Sequence, residues 1–435
     1  MQELKVDQKE LEKRVKYVVS LSKEIPWYVR KYKELGIDPD EIRSPQDLLK
    51  AYEKGLYTTP QDLPELVYYK HPEAKGPFYT SGTSGKPKEI WLNPDDNKRI
   101  ISQFTKAFKT LKKEDKILSC LPREPAISGY MTTISLLDLG LDFRNFPAQE
   151  IGGNIPKFLE TYKNLKPTVL MSLTTFAYRL PLMLEASKIP SYLRAVFVGA
   201  EPSTIERRES IGRDFNSLVY DVYASSENGL IGYEFKPFSD EHIVPIPQTL
   251  LFLVKDRDKV SVGEGGEILV TNLYETTAEP YMVLINYKIG DWAKCLEEDN
   301  GIVTSISEIR REAAYLAGAK LHPQEVEKAI EELEKYKREL TGEYFIITHS
   351  DSQRRAIAEV RIEGKRNISP EDKKGIEEKV REKIYSNNFP VWNEVENAKN
   401  AKLLIEITNP GELYKGYEQY IKPGKPKRLL VLTDV

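Results

Sequence analysis

KILSC at Lys116–Cys120, TVLM at Thr168–Met171, RAVFV at Arg194–Val198 and LVYDV at Leu218–Val222 are short apolar runs, separated by longer amphipathic segments. Those segments are Gly129–Leu139, Ile155–Asn164, Thr174–Ala186 and Ser203–Arg213, and one more strand-like run, DFRNF, stands at Asp142–Phe146. Strand and helix therefore alternate about four times. That order demands crossover connections and a mainly parallel sheet, whose ligands bind at the carboxyl ends of the strands. The segments to inspect follow the strands: Ser172-Leu173-Thr174-Thr175, Gly199-Ala200-Glu201-Pro202 and Ala224-Ser225-Ser226-Glu227.

Outward from this region the patterns change. On the N-terminal side Leu11, Val15, Val18 and Val19 make one apolar helical stripe, and Ser44-Pro45-Gln46-Asp47 has the cap, first-turn proline and answering acid of a second helix. Beyond Phe235, TLLFLV and EILVTNL flank the Gly263-Glu264-Gly265-Gly266 turn and predict a β-rich subdomain. After Ser307 the order is αββαββ: helix Pro323–Leu340, strands YFIIT and AIAEVRI, helix Pro370–Tyr385, strands LLIEI and RLLVL. Val326, Ile330, Leu333 and Leu340 form the first helix's apolar face, with exposed pairs Glu331–Lys335 and Glu334–Arg338, and Ser369 to Asp372 reads as a capping box. A boundary between about Thr304 and Arg311 divides a large N-terminal domain, 1–306, from a small mobile α+β C-terminal domain, 307–435.

The chain has 435 residues, more than one ordinary core holds, with 64 basic and 67 acidic side chains and a formal charge of -3. No global cationic field recruits nucleic acid, and no apolar run approaches the roughly 18 residues of a membrane span. Two cysteines, Cys120 and Cys295, exclude a disulfide framework and a thiolate metal site, and with no signal-type core at the start they point to the cytoplasm. His71, His242, His322 and His349 lie in no metal-ligand or triad-like spacing.

Between Pro77-Phe78 and Ile90-Trp91-Leu92 lies Tyr79-Thr80-Ser81-Gly82-Thr83-Ser84-Gly85-Lys86-Pro87-Lys88. Glycines let backbone amides approach a polyphosphate, the hydroxyls of Thr80, Ser81, Thr83 and Ser84 donate further bonds, and Lys86 and Lys88 neutralise charge. A polar turn is the competing reading. A Walker loop is excluded, since Thr80 stands where its first glycine belongs and Pro87 follows the lysine.

This stretch resembles the TSGTTGxPK signature of the adenylate-forming superfamily, the acyl-CoA synthetases and their relatives, with Ser84 as the one departure. The resemblance continues in order. VFVGAEP, Val196–Pro202, and YDVYASSENG, Tyr220–Gly229, look like the segments that border adenine and end in a metal-binding glutamate, here Glu227, for Mg²⁺. It implies that Gly199, Ala200, Glu201, Pro202, Ala224, Ser225 and Ser226 line the nucleotide, while Tyr223 either stacks on adenine or is an ordinary strand aromatic. NYKIGDWAKC, Asn286–Cys295, resembles the Y-[RK]-T-G-D segment and makes Asp291 the ribose ligand, and IKPGKPKRLL, Ile421–Leu430, makes Lys425 the candidate catalytic lysine, with Lys422 and Lys427 as competitors. The hinge is degraded: Gly318 and Lys320 match, but Glu308-Ile309 replaces Gly-Arg and Arg311 falls on the hinge aspartate.

Within the superfamily the chain resembles the phenylacetate-CoA ligase branch through PWYVRKYKELGIDPDEIRSPQDL, GAEP and GAKLHPQEVEKAI. The resemblance implies an AMP-forming ligase that uses ATP, Mg²⁺ and coenzyme A on a small carboxylic acid, with a homodimer as the family expectation. Two alternatives stand beside it: an adenylating enzyme with another acceptor, suggested by the altered hinge, and a nucleotide-binding pseudoenzyme. Ile127, Tyr130, Met131, Phe176 and Tyr178, within the segments Ala126–Met131 and Ser172–Tyr178 and beside Val198–Gly199, are the expected acid-pocket walls or, equally, core.

Overall fold

The computed structural model describes residues 7–68, 73–80, 88–123, 126–151, 154–200, 203, 205–234, 237, 243–310, 314–316, 319–321, 325–326, 329–330, 332–333, 336, 339–366, 368–387, 401–420 and 429–432. Three helices open the chain: α1 (Gln8–Ser22), α2 (Pro26–Leu35) and α3 (Pro45–Glu53). The α1 stripe is buried as its spacing predicts, Val15 and Val18 completely. At α3 the Ser44 hydroxyl accepts from the Asp47 amide at 3.2 Å and donates to its carboxylate at 2.7 Å, the cap expected from the sequence. Strands β1 (Lys75–Thr80) and β2 (Lys88–Leu92) then pair as an antiparallel hairpin with Thr80 opposite Lys88, and β2 leads into α4 (Pro94–Ala107).

The alternation follows: β3 (Lys116–Ser119), α5 (Ile127–Asp138), β4 (Asp142–Asn145), a short α6 (Ala148–Ile151), α7 (Ile155–Leu165), β5 (Val169–Leu173), α8 (Thr174–Ala186), β6 (Ala195–Gly199), α9 (Ile205–Phe215) and β7 (Leu218–Ser225). Strands β4, β3, β5, β6 and β7 lie side by side in that order, all parallel. Every residue of β5 and β6 is buried, as a sheet covered on both faces requires.

The β-rich part does not stand apart. Strands β8 (Gly229–Glu234), β9 (Ile243–Pro245), β10 (Thr249–Lys255), β11 (Asp258–Lys259), β12 (Gly265–Asn272), β13 (Tyr287–Asp299) and β14 (Ile302–Arg310) extend the same sheet. Twelve strands result, in the order β11-β10-β12-β13-β14-β9-β8-β7-β6-β5-β3-β4, antiparallel from β11 to β7 and parallel beyond. Strand β14 holds its place in this sheet as far as Arg310, paired with Trp292.

The remaining elements are β15 (Ala314–Leu316), β16 (Ala319–Leu321), β17 (Leu340–Ser350), β18 (Ala356–Gly364), α10 (Pro370–Asn387), β19 (Ala401–Thr408) and β20 (Leu429–Val431). A four-stranded sheet, β19-β18-β17-β20, packs Ile346, Val360 and Ile405 against Ile376, Val380 and Ile384 of α10 in a hydrophobic cluster of its own. At the start of α10 the Ser369 hydroxyl accepts from the Asp372 amide at 3.1 Å and donates to the Asp372 carboxylate at 2.7 Å.

The first helix of this region differs from expectation. Helical residues stand at 325–326 and 329–330, after which Leu333, Tyr336 and Glu339 each bond back three residues, and Leu340 already belongs to β17. The apolar face survives nonetheless: Val326, Ile330, Leu333 and Leu340 are all buried. Burial fixed those four positions without requiring one unbroken helix. The pairs Glu331–Lys335 and Glu334–Arg338 lie outside the described residues. Among the described residues no helix is long and apolar enough to cross a membrane.

Candidate active site

The turn between β7 and β8 carries Glu227, and its backbone is pinned from three directions. The Ser225 hydroxyl oxygen accepts from the Asn228 amide and side chain at 3.2 and 2.9 Å. The Asn228 carbonyl accepts from Arg99 at 2.7 Å and Gln103 at 3.5 Å, both on α4, and Asn272 of β12 donates to the Glu227 carbonyl at 3.4 Å. Gly229 adopts φ 71°, and a Cβ there would sit 2.6 Å from Gln103 Oε1, so the turn needs glycine at this position. Helix α4, which supplies two of these donors, is fixed by a reciprocal cap between Asn93 and Asp96. Burial raises the Asp96 carboxyl above its ordinary range, against the opposing effects of Arg99 and the amides of Tyr281 and Asn93.

Onto the Glu227 carboxylate converge two donors from distant segments. The Tyr287 hydroxyl, at the start of β13, donates to Oε1 at 3.0 Å, and the Lys88 ammonium, at the start of β2, donates to the same oxygen at 3.3 Å. Lys88 and Glu227 expose only 12% and 7% of their side chains, so this ion pair is largely removed from water. Lys88 is the last residue of the glycine-rich stretch, and the structure thus joins that hairpin to the β7–β8 turn.

A second carboxylate lies on β13. Asp291 is buried and accepts from the Tyr223 hydroxyl of β7 at 2.9 Å, and Gly290 at φ 87° precedes it. At the end of β6, Gly199 has no room for a side chain, since a Cβ would meet the Val222 carbonyl oxygen of β7 at 2.7 Å. Ala200 follows in the left-handed region at φ 61°, bending the chain over the sheet edge. Below this bend the buried Arg208 of α9 donates to the Ser203 carbonyl at 2.6 Å and pairs with the wholly buried Glu234 at 3.3 Å.

Of the residues singled out in the sequence, Lys88, Glu227, Tyr223 and Asp291 are thus brought together, with Ala224, Ser225 and Ser226 between them and Gly199 and Ala200 on the neighbouring strand end. Thr80 and Lys320 are placed by their backbones alone, opposite Lys88 and Tyr315 respectively. Ser81, Gly82, Thr83, Ser84, Gly85, Lys86, Glu201, Pro202, Arg311, Gly318, Lys422, Lys425 and Lys427 lie outside the described residues, as do His71, His242 and His322. Tyr287 is the contact that sequence reading missed. It stood inside a motif quoted for its aspartate, and the bond to Glu227 spans 60 residues of chain.

The expected acid-pocket residues divide toward the core reading. Ile127, Met131 and Phe176 are buried in the two hydrophobic clusters of the large sheet, and Tyr130 packs on Phe78 with ring centroids 4.9 Å apart. Tyr178 lies between Arg207 at 5.0 Å and Arg354 at 4.3 Å. Both cysteines are buried, and burial pushes both thiols up, which disfavours a thiolate nucleophile. No group of three His, Cys, Asp or Glu residues poised for a metal exists among the described residues.

The family of AMP-binding enzymes matches residues 72–278, the span that holds the hairpin, the parallel strands and the Glu227 turn. Over that span, just under half of the chain, the sequence is similar to the AMP-binding, adenylate-forming enzymes. Its resemblance is to the phenylacetate-CoA ligase branch: phenylacetate-coenzyme A ligase of Pseudomonas putida is 24% identical over 219 residues, 47% of this chain. The chain spans about half the length, 47%, of that curated relative. Among solved structures, 2-hydroxyisobutyryl-CoA ligase with 2-HIB-AMP and CoA in its thioesterification state superposes with a TM-score of 0.73 at 16% identity, covering 98% of this chain and 89% of the other. An open conformation of that enzyme superposes with a TM-score of 0.61, also at 16% identity, over 97% and 91%.

Proposed function

We propose that this chain activates a small carboxylic acid with ATP to an acyl-adenylate and passes the acyl group to coenzyme A, releasing pyrophosphate and then AMP. The observation that carries the reading is the meeting of Lys88, Glu227 and Tyr287, drawn from three separated segments, beside the Tyr223–Asp291 pair. In the first step a carboxylate oxygen of the acid attacks the α-phosphorus and the bond to the β-phosphate breaks. In the second the thiol of coenzyme A attacks the acyl carbon, loses its proton and displaces AMP.

Each residue then has a defined task. The stretch Thr80 to Lys88 holds the departing β- and γ-phosphates, Asp291 accepts from the ribose hydroxyls, and the segments Gly199–Pro202 and Tyr223–Ser226 border the adenine. Lys425 stabilises the charge that builds at the α-phosphate, an interaction stronger in the transition state than in the ground state, and Lys320 belongs to the same mobile unit. The donor set suits Mg²⁺, which takes one or two carboxylates plus substrate phosphates and water rather than an all-protein cage: here one carboxylate, Glu227, faces the hairpin that would carry the phosphates. When bound, Mg²⁺ would neutralise phosphate charge.

The division into a nucleotide-binding part and a C-terminal lid is part of the same reading, with the boundary just after β14. Exchange of labelled pyrophosphate into ATP, screened over aryl and aliphatic acids, tests the first step. Exchange without consumption of coenzyme A would reassign the acceptor, and nucleotide binding without exchange for any acid would refute the enzymatic reading.

A further inference from the structure

Two tyrosine–carboxylate bonds at the site are reciprocal. Tyr223 and Glu227 belong to the β7 end and its turn, Tyr287 and Asp291 to β13, and each tyrosine donates to the carboxylate of the other element, at 2.9 and 3.0 Å. Along β13, Tyr287, Ile289 and Asp291 are buried while Gly290 and Trp292 are exposed, so Tyr287 and Asp291 share a face, as the period of two dictates. The two chain segments and the two hydrogen bonds therefore close a ring.

The sheet ladder does not fix these positions by itself. The pairing of β13 with β12 shifts register between Glu267 and Leu269, and its pairing with β14 shifts between Trp292 and Lys294, on either side of Asp291. The pairing of β7 with β8 shifts between Tyr223 and Ala224. Such irregularities re-aim side chains and leave local direction to other contacts. Four ladder steps separate β7 from β13, roughly 19 Å in a flat sheet at about 4.8 Å per step, so the contacts also require the sheet to curl.

We infer that Tyr223 and Tyr287 are positioning residues that together set the distance between Glu227 and Asp291, and so the span from the metal-facing carboxylate to the ribose. This rests on the nucleotide reading above. A carboxylate offers about four acceptor directions, so the bond from Tyr223 leaves Asp291 capacity for two ribose hydroxyls. The hydroxyl of Tyr223, rather than its ring alone, is then what the site needs. Because the ring is closed, opening either bond loosens both corners.

The test is calorimetric binding of AMP and of 2′,3′-dideoxy-AMP to the full chain, as wild type, Tyr223→Phe, Tyr287→Phe and the double variant, with thermal unfolding in parallel. Neither probe requires the acid or a metal. The preference of wild type for AMP over the dideoxy analogue should fall about tenfold or more in Tyr223→Phe, the loss of one hydrogen bond to a charged group. It should fall by a similar factor in Tyr287→Phe, although that residue does not touch Asp291, and no further in the double variant. A merely structural role would lower the unfolding temperature and leave the preference intact. A wild-type preference retained in Tyr287→Phe, or losses that add in the double variant, would overturn the ring while leaving the nucleotide reading standing. Wild type that binds neither probe, or binds both equally, would overturn the ribose assignment and the ring with it.

Discussion

Lys88→Met should change the affinity for free Mg²⁺ and for MgATP in opposite directions. In the protein without nucleotide the ammonium of Lys88 stands 3.3 Å from Glu227 Oε1, a separation worth about 5 kcal/mol at an effective dielectric of 20 and about 1.3 kcal/mol in water. With side-chain exposures of 12% and 7% the pair lies between those limits, and desolvation of both ions offsets much of the attraction. A net pairing of about 1.5 kcal/mol remains as a working figure, which corresponds to roughly tenfold in an equilibrium constant.

A cation that binds Glu227 must first displace Lys88. Without the ammonium, free Mg²⁺ should therefore bind about tenfold more tightly, by the same pairing figure. MgATP should bind more weakly, because the lysine that would turn to the phosphates is gone. Titration of Mg²⁺ with and without a non-hydrolysable ATP analogue, followed by thermal shift and calorimetry, reads both signs. Glu227→Gln should abolish the response to free Mg²⁺ in either background. Equal half-saturation by free Mg²⁺ in wild type and Lys88→Met would refute the competition, and with it the placement of the metal on Glu227.

Gly199→Ala should lower both unfolding temperature and AMP affinity, because its Cβ would meet the Val222 carbonyl oxygen at 2.7 Å and overpacking of this kind costs about 1–3 kcal/mol; unaltered values in both measurements would contradict the close approach. Asp115 joins the starts of β3, β5 and β6. Burial pushes its carboxyl up but is outweighed by bonds from Arg194, the Lys112 amide and Thr168, leaving it below its ordinary range. Its stabilisation is then complete above the unfolded value of about 3.9 and is lost as pH falls through the lower folded value, so the stability gap between wild type and Asp115→Asn should narrow below about pH 4; a gap constant down to pH 2 would disprove the linkage. Arg354 at the β17–β18 tip donates to Asp214 at 2.6 Å and to the Tyr178 carbonyl at 3.0 Å, so Arg354→Ala should increase amide exchange in that tip and in α8 and α9, about tenfold for roughly 1.4 kcal/mol after allowing for partial exposure; Asp214→Ala, which leaves the Tyr178 bond, should give a smaller rise, and the double variant should match Arg354→Ala. Exchange that stays at the wild-type rate would mean that this contact does not hold the C-terminal sheet against α8 and α9.

What the sequence made legible was local in origin. The caps at Ser44 and Ser369 need only four consecutive residues, and the alternation from Lys116 to Val222 needs only the period of each run, so both could be read directly. Glu227 and Asp291 were legible because each closes a contiguous motif. What escaped depends on pairing across long stretches of chain. The continuation of the parallel sheet through β8 into the β-rich strands is set by β14 pairing with β9, Ile306 opposite Ile243, and no local pattern encodes that choice. Phe176 illustrates the same limit: an aromatic just after a strand fits a pocket wall or a core, and only its packing against Phe158, centroids 5.5 Å apart, selects the core. Beyond Ile330 an apolar face was read correctly and its helix was not, since turns with i to i−3 bonds carry Leu333 inward and β17 supplies Leu340.

The position of the site follows from where the sheet changes character. Strand β7 is parallel to β6 on one side and antiparallel to β8 on the other, so it is the seam between the two halves. On the parallel side, strand ends open toward crossover loops, where Gly199 and Ala200 lie, and the crossovers leave a crevice that a planar base can enter. On the antiparallel side a tight hairpin, not a crossover, follows β7, and it holds Glu227 on a short turn braced by Arg99, Gln103 and Asn272. The Gly199–Ala200 bend and the braced Glu227 carboxylate thus sit at the ends of two neighbouring strands, β6 and β7. The antiparallel strands then curl until β13 faces that end, bringing Asp291 and Tyr287 within hydrogen-bonding distance of residues that four ladder steps would otherwise keep apart. A wholly parallel sheet would supply the crevice without the fixed carboxylate, and a wholly antiparallel one the fixed carboxylate without the crevice. The mixed sheet is therefore a condition for the site, and the seam at β7 is where both of its requirements can be met.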